Sequence, residues 1–226
     1  MKENIKEIHG KVFYYRVGTP DEVILKDEYQ LSRYFIAKYH ICENDTILDI
    51  GAHIGVFAIY ASQKVDKGMV YAIEPNQENF ELLKKNTHEN NLTNIKLFQI
   101  GISNFNGKGK LYLSNENWGH SLKIKNNRKQ WEEVNICTLE DFIVNNKLHV
   151  IDYMKMNIEG SEYDIIYSTP KNILKHIKSM HIEFHPSEIH TGKELFEYVK
   201  KCGFLTMIKY DKLNNKKGWI TATLIE

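Results

Sequence analysis

The stretch Thr46-Ile-Leu-Asp-Ile-Gly-Ala-His-Ile-Gly55 decides the fold. An apolar run ends around Asp49, Gly51 and Gly55 turn the chain, and Val56, Phe57, Ile59 and Tyr60 begin an apolar helix. A strand, a glycine loop and a helix in that order let backbone approach a nucleotide-like ligand. The glycines supply conformational freedom and remove side-chain bulk at the close approach. A second apolar strand, Met69 to Ile73, ends at Glu74, about 20 residues past the loop, where an acid can accept both hydroxyls of a ribose.

The spacing narrows the ligand. Gly51 and Gly55 are separated by three residues, and His53 stands where a dinucleotide-binding loop has its middle glycine. A side chain there crowds a pyrophosphate. It can coexist with the thioether arm of S-adenosylhomocysteine or with its sulfonium parent, S-adenosylmethionine. The sequence also lacks the Gly-Lys-Ser/Thr of a phosphate-binding loop.

Outward from the loop the pattern alternates. Strands are expected at residues 46–50, 69–73, 95–100, 153–158 and 180–184, with helices after Gly55, Pro75-Asn76 and Glu162. Thr138 is placed to cap a helix over 139–145, and Thr191-Gly192 to open one that closes at Gly203. Residues 110–113 and 134–137 read as short strands around the polar segment 114–133. Residues 204–209 and 218–224 read as a hairpin, so the last strand pair is antiparallel. Towards the N-terminus, strands at 11–17 and 22–25 flank the turn Gly18-Thr-Pro-Asp21, and a helix spans 28–40. Such alternation predicts a mostly parallel sheet covered on both faces, with ligand beyond the C-terminal strand ends. Asp49, Glu74, Gly101, Asn157, Glu159 and Glu183 fall at or near such ends.

Bulk properties bound the function. A chain of 226 residues suits one α/β domain. Thirty Lys and Arg against 29 Asp and Glu leave no global basic field for nucleic acid, only a local patch at Lys123, Lys125, Arg128 and Lys129. No apolar run approaches the roughly 20 residues of a membrane span. The charged start, Met1-Lys-Glu-Asn-Ile-Lys-Glu7, lacks a signal-peptide core, so a cytoplasmic protein is expected. Cys42, Cys137 and Cys202 are scattered and read as free thiols. The histidines show no metal-ligand spacing, and no required metal is expected.

Three segments carry a family resemblance: Asp49-Ile-Gly-Ala-His-Ile-Gly-Val-Phe57, Val70-Tyr-Ala-Ile-Glu-Pro-Asn76 with Asn79, Leu82 and Asn86, and Lys155-Met-Asn-Ile-Glu-Gly-Ser-Glu162. Together they resemble the FkbM family of S-adenosylmethionine-dependent methyltransferases. Arg16-Val-Gly-Thr-Pro-Asp21 and Thr138-Leu-Glu-Asp-Phe142 extend the resemblance over residues 12 to 185. It implies a class I methyltransferase, a Rossmann-like seven-stranded sheet with an antiparallel C-terminal hairpin. The expected organisation is an N-terminal β/α extension (1–42) packing on a cofactor-binding domain (43–226). The resemblance also implies O-methylation of a small acceptor, most plausibly a sugar or glycoconjugate. Glu74, with Pro75 beside it, would hold the ribose. Asp49, Gly51, His53 and Gly55 would line the methionine arm, and residues 99–102, Gly101 among them, the adenine. The family usually has Asp where this chain has Asn157, which can share hydrogen bonds with the cofactor but cannot act as a carboxylate base.

Methyl transfer requires an acceptor oxygen aligned with the methyl and relieved of its proton. Candidate catalytic residues are Glu159, His185 and Lys155, the last paired with Glu159 or Glu183 or orienting the acceptor. His120 is a further candidate base. Trp118, His120 and Glu183 are candidate acceptor contacts, since loops over such a cleft carry specificity. A nicotinamide-dependent oxidoreductase and a catalytically silent cofactor-binding module remain as alternatives.

Overall fold

The computed structural model describes residues 2–26, 41–114, 119–123 and 129–225. The expected helix over 28–40 and Trp118 lie outside the described residues. In chain order, β1 (Glu3–Ile8) and β2 (Lys11–Arg16) form a hairpin, and residues 21–26 are helical (α1). Then come β3 (Thr46–Ile50), α2 (Val56–Ser62), β4 (Met69–Ile73), α3 (Gln77–Glu89) and β5 (Ile95–Phe98). Next are β6 (Gly101–Ser103), β7 (Gly107–Tyr112), β8 (Trp131–Thr138), α4 (Leu139–Asn145) and β9 (Ile151–Met156). The chain continues through α5 (Glu162–Ser168), α6 (Lys171–Leu174), β10 (Ile177–Phe184), α7 (Gly192–Lys201), β11 (Phe204–Tyr210) and β12 (Gly218–Leu224).

Seven strands form one sheet in the order β11-β12-β10-β9-β3-β4-β5. β12 runs antiparallel to both its neighbours, and the other pairs are parallel. From β3 the chain winds out one way through β4 and β5, then returns to β9 on the other side. That reversal opens a crevice at the C-terminal ends of β3 and β9, where α/β sheets bind ligands. Alternation along β3 divides the core: Leu48 and Ile50 face the cluster containing Phe142, Ile165 and Leu195, while Ile47 faces Phe13, Phe57 and Leu83.

The N-terminal hairpin is latched to α3 by asparagines of that helix and its C-cap. Asn86, fully buried, accepts a hydrogen bond from the Tyr14 N–H (2.7 Å) and donates to the Ile54 (2.9 Å) and Tyr14 (3.2 Å) carbonyls. Asn90 repeats the exchange with Val12, accepting at 2.9 Å and donating at 2.7 Å. Each amide therefore substitutes for a strand neighbour that β2 lacks on that side.

Several expectations are corrected. Residues 22–25, read as a strand, are helical: Ile24 N–H donates to the Pro20 carbonyl, and four residues are too few for alternation to distinguish the two periods. The strand at 95–100 stops at Phe98, and β6 leaves the main sheet to pair with β8, which also pairs with β7. Neither that three-stranded sheet nor β1 follows from alternation.

Asn86→Ala strands a buried N–H and two carbonyls. It is expected to lower stability by about 2–4 kcal/mol in denaturant titration and to speed hydrogen exchange at the Tyr14 amide.

Candidate active site

The glycine loop is shaped by one close approach. Gly51 has φ 82°, and a Cβ there would lie 2.0 Å from the Asn157 carbonyl oxygen. Both the Gly51 and Ala52 N–H groups donate to the Ile73 carbonyl. The loop is thus fixed to β4 on one side and the end of β9 on the other. Gly55 serves packing: at φ 92° its Cβ would meet Leu83 Cδ1 at 2.5 Å.

His53 occupies the left-handed region at φ 52°, which turns its N–H onto Glu74 Oε2 at 2.9 Å. The Asn76 N–H reaches Glu74 Oε1 at 3.0 Å. Glu74 is therefore a buried carboxylate held by two backbone donors at the end of β4. Burial pushes its pKa up to about 7, with the two N–H bonds pulling the other way. Behind it, Arg16 grips Asp21 through Nε (2.8 Å) and Nη2 (2.9 Å), and also donates to Asn79 Oδ1 at 2.7 Å. Asp21 Oδ1 lies 3.6 Å from His53 Nε2. The Arg16–Asp21 segment thus braces the loop from the N-terminal side.

Lys155 does not pair with Glu159 or Glu183 as expected. Its Nζ lies 3.2 Å from Asp49 Oδ1 and 3.4 Å from the Gly51 carbonyl, over the Phe57 ring at 5.5 Å. The reason is register: Asp49 and Lys155 are direct partners on β3 and β9. Asp49 is fully buried and does not line the cleft, whereas Lys155 does.

One cleft gathers Gly51, His53, Glu74, Pro75, Gly101 and His120 with Lys155, Asn157, Glu159 and Glu183. Gly55 and His185 are not among its lining residues. His120 Nδ1 accepts the Ser114 N–H at 2.9 Å. Asn157 Oδ1 and Ser161 Oγ are buried without a hydrogen-bond partner among the described residues, and both residues line the cleft. Both atoms are placed to bond a ligand or water in the cleft.

Glu159 is the carboxylate offered to the cleft, with a side chain 26% exposed and a left-handed φ of 62°. Ser121 Oγ holds its carbonyl at 2.8 Å, and a Lys123–Asp164 ion pair ties the same loop to α5. His185 sits behind it, 2% exposed, with Nε2 3.2 Å from Glu159 and Nδ1 2.7 Å from Glu162. Burial alone lowers the imidazole pKa, but the Glu162 and Glu159 carboxylates outweigh it and raise the value to about 9. Nδ1 is hydrogen-bonded to Glu162, whereas the Nε2 contact with Glu159 is one of charge without hydrogen-bond alignment. Protonated, the imidazole has no lone pair to act as a base.

Sequence reasoning missed Ser161, His181, Lys217 and Trp219, which also line the cleft. Ser161 lay within a quoted motif. Lys217 and Trp219 arrive from the far hairpin, Lys217 pairing with Glu183 at 2.7 Å, and no local pattern marks them.

The sequence profile of the methyltransferase FkbM domain matches residues 49–206. The chain belongs to the FkbM methyltransferase family. It is 24% identical over 212 residues to methyltransferase sdnD of Sordaria araneosa, covering 79% of this chain and 81% of the relative. It is 26% identical over 163 residues to 2-O-methyltransferase NoeI of Sinorhizobium fredii, covering 65% and 66% respectively. Among solved structures, precorrin-6y C5,15-methyltransferase of Geobacter metallireducens has a TM-score of 0.55 at 13% identity, covering 87% of this chain and 88% of that one. An rRNA methylase of Streptococcus thermophilus has a TM-score of 0.54 at 11% identity, covering 94% and 100%. These likenesses show the fold, that of class I methyltransferases.

The cofactor of this FkbM protein is S-adenosylmethionine. The cleft fits it: Glu74 offers a buried carboxylate for a diol, and Gly51 leaves no side chain at the crest of the sheet. Membership of this S-adenosylmethionine-dependent family sets aside the nicotinamide reading.

Glu74 makes the unliganded protein pH-sensitive. A carboxyl raised from its ordinary 4.5 to about 7 binds more protons folded than unfolded, so stability falls as pH rises through that window. The cost reaches on the order of 3 kcal/mol above pH 7. Melting curves between pH 5 and 8 are expected to show wild type losing stability relative to Glu74→Gln as pH rises.

Proposed function

We propose that this protein transfers a methyl group from S-adenosylmethionine to a hydroxyl oxygen of a small acceptor, a sugar or glycoconjugate. The observation that carries the reading is that Glu74 and Glu159 line one cleft. Glu74 is buried and held by backbone donors, while Glu159 is half-buried and also lines the cleft.

Glu74 would hold the ribose hydroxyls, with Gly51, His53 and Pro75 lining the same end. Asn157 Oδ1 and Ser161 Oγ are acceptors suited to ammonium or hydroxyl protons of bound molecules. Lys155, pinned by Asp49, stiffens the floor between the two ends. When bound, S-adenosylmethionine supplies an electrophilic methyl on a positively charged sulfur.

Glu159 accepts a hydrogen bond from the acceptor hydroxyl and aims a lone pair of its oxygen. It takes the proton as the new carbon–oxygen bond forms and the carbon–sulfur bond breaks. The hydroxyl becomes strongly acidic as that bond forms, so a carboxylate in contact with it can take the proton. This assigns to Glu159 the proton removal that Asn157 cannot perform.

The acceptor class is supported by the far wall. Trp219 offers an aromatic face, and the Glu183–Lys217 pair offers donors and acceptors together, a combination that suits a hydroxylated ring. Similarity to a protein named as a 2-O-methyltransferase points the same way.

Calorimetry with S-adenosylhomocysteine is expected to show binding by wild type, at least tenfold weaker binding by Glu74→Ala, and unchanged binding by Glu159→Gln. With trideuteromethyl-labelled cofactor and a panel of sugars, mass spectrometry is expected to detect a labelled methyl ether with wild type. Glu159→Gln should form it at least 100-fold more slowly. Absence of cofactor binding by wild type would refute the reading.

A further inference from the structure

We infer that His185 is a positioning residue, a buried cation clamped between Glu162 and Glu159 that sets the carboxylate of Glu159 towards the acceptor. The inference rests on the reading of Glu159 given above.

Three observations carry it. First, His185 lies between two carboxylates: fully buried Glu162 hydrogen-bonds Nδ1 at 2.7 Å, and Glu159 Oε1 lies 3.2 Å from Nε2 as a charge contact without hydrogen-bond alignment. Second, Glu159 is bent into a left-handed backbone conformation, followed by Gly160 at φ 120°. A non-glycine residue stays there only when its surroundings hold it. Here the Ser121 hydroxyl bonds its carbonyl, and the imidazole attracts its carboxylate as a charge 3.2 Å away. Third, three carboxylates converge on this corner, because Glu183 Oε1 also lies 4.0 Å from His185 Nε2. Lys217 neutralises Glu183, so it is between Glu159 and Glu162 that the imidazolium is needed; without it those two carboxylates would repel one another.

The charged groups facing His185 are Glu159 from the loop after β9, Glu162 from α5 and Glu183 on β10 itself. Lys217, from the β11–β12 hairpin, neutralises Glu183. The His185 carbonyl accepts the Tyr163 hydroxyl at 3.0 Å, which anchors the backbone of the clamp to α5. Glu162 is a dead end for protons, fully buried, so the arrangement fixes geometry and does not relay.

The clamp is present while His185 is charged. Its pKa is raised from 6.5 to about 9, so its stabilising effect is complete below the ordinary value and is lost as pH rises through about 9.

The test joins spectroscopy to kinetics. Long-range proton–nitrogen spectra of the labelled protein should show both His185 nitrogens protonated at pH 8. His185→Gln should bind S-adenosylhomocysteine as wild type does but lose at least tenfold in kcat. The fall of wild-type kcat above pH 9 should be missing from its profile. Glu162 left alone in the core threatens folding of that variant, so Glu162→Gln/His185→Gln is measured beside it with the same expectation. A neutral His185 at pH 8 would overturn the inference, as would unchanged kcat in a folded variant. An inactive wild type that binds no cofactor would instead overturn the reading of the site.

Discussion

The ion pair of buried Asp49 and partly buried Lys155, side by side on the two central strands, is the constraint on which the rest of the structure depends. It joins the direct register partners of β3 and β9 at the level where the glycine loop begins. Such a pair contributes little net stability, because removing two charges from water costs about as much as their attraction returns. What it supplies is uniqueness. A slip of one residue would bury one charge without the other, and breaking a buried pair in that way costs about 3–5 kcal/mol. With the register fixed, the Asn157 carbonyl arrives against Gly51, where only a glycine fits. Asn157 and Glu159 then emerge on the same side of the sheet as Glu74.

Two braces converge on that crest from opposite ends of the chain. From the N-terminal side, Arg16, Asp21 and Asn79 form a buried network that reaches His53, whose N–H holds Glu74. From the other side, His185, Glu162 and Ser121 fix Glu159. Both use paired, nearly water-free charges, where geometry is tightly specified and a missing partner is costly. The ligand-facing carboxylates are thereby held from behind rather than by their own backbone preferences.

Much of this was legible in the sequence, for identifiable reasons. Parallel strands buried on both faces read as apolar runs, so β3, β4 and β10 stand out, and a hairpin with a polar tip marks β11 and β12. Thr138 and Thr191 announce their helices because a cap is a local interaction, and each does accept the expected backbone N–H. The glycine loop and Glu74 follow from a spacing tied to one ligand geometry. What escaped was non-local. Lys155 found Asp49 across a strand pair, 106 positions away in sequence. His185 read as a candidate base because nothing in its own segment reveals Glu162 and Glu159. Trp219 and Lys217 reach the cleft only because β12 lies beside β10. The resemblance motifs quoted from the sequence gain physical meaning here: Arg16 and Asp21 are a bidentate pair, and Asn86 is a substitute strand edge.

The most direct measurement is a crystal structure of the protein with S-adenosylhomocysteine. The account predicts both ribose hydroxyls on the Glu74 carboxylate, and the sulfur opening onto a space bounded by Glu159, with His185 still between Glu159 and Glu162. A ribose held elsewhere, or a Glu159 carboxylate turned away from the sulfur, would contradict it.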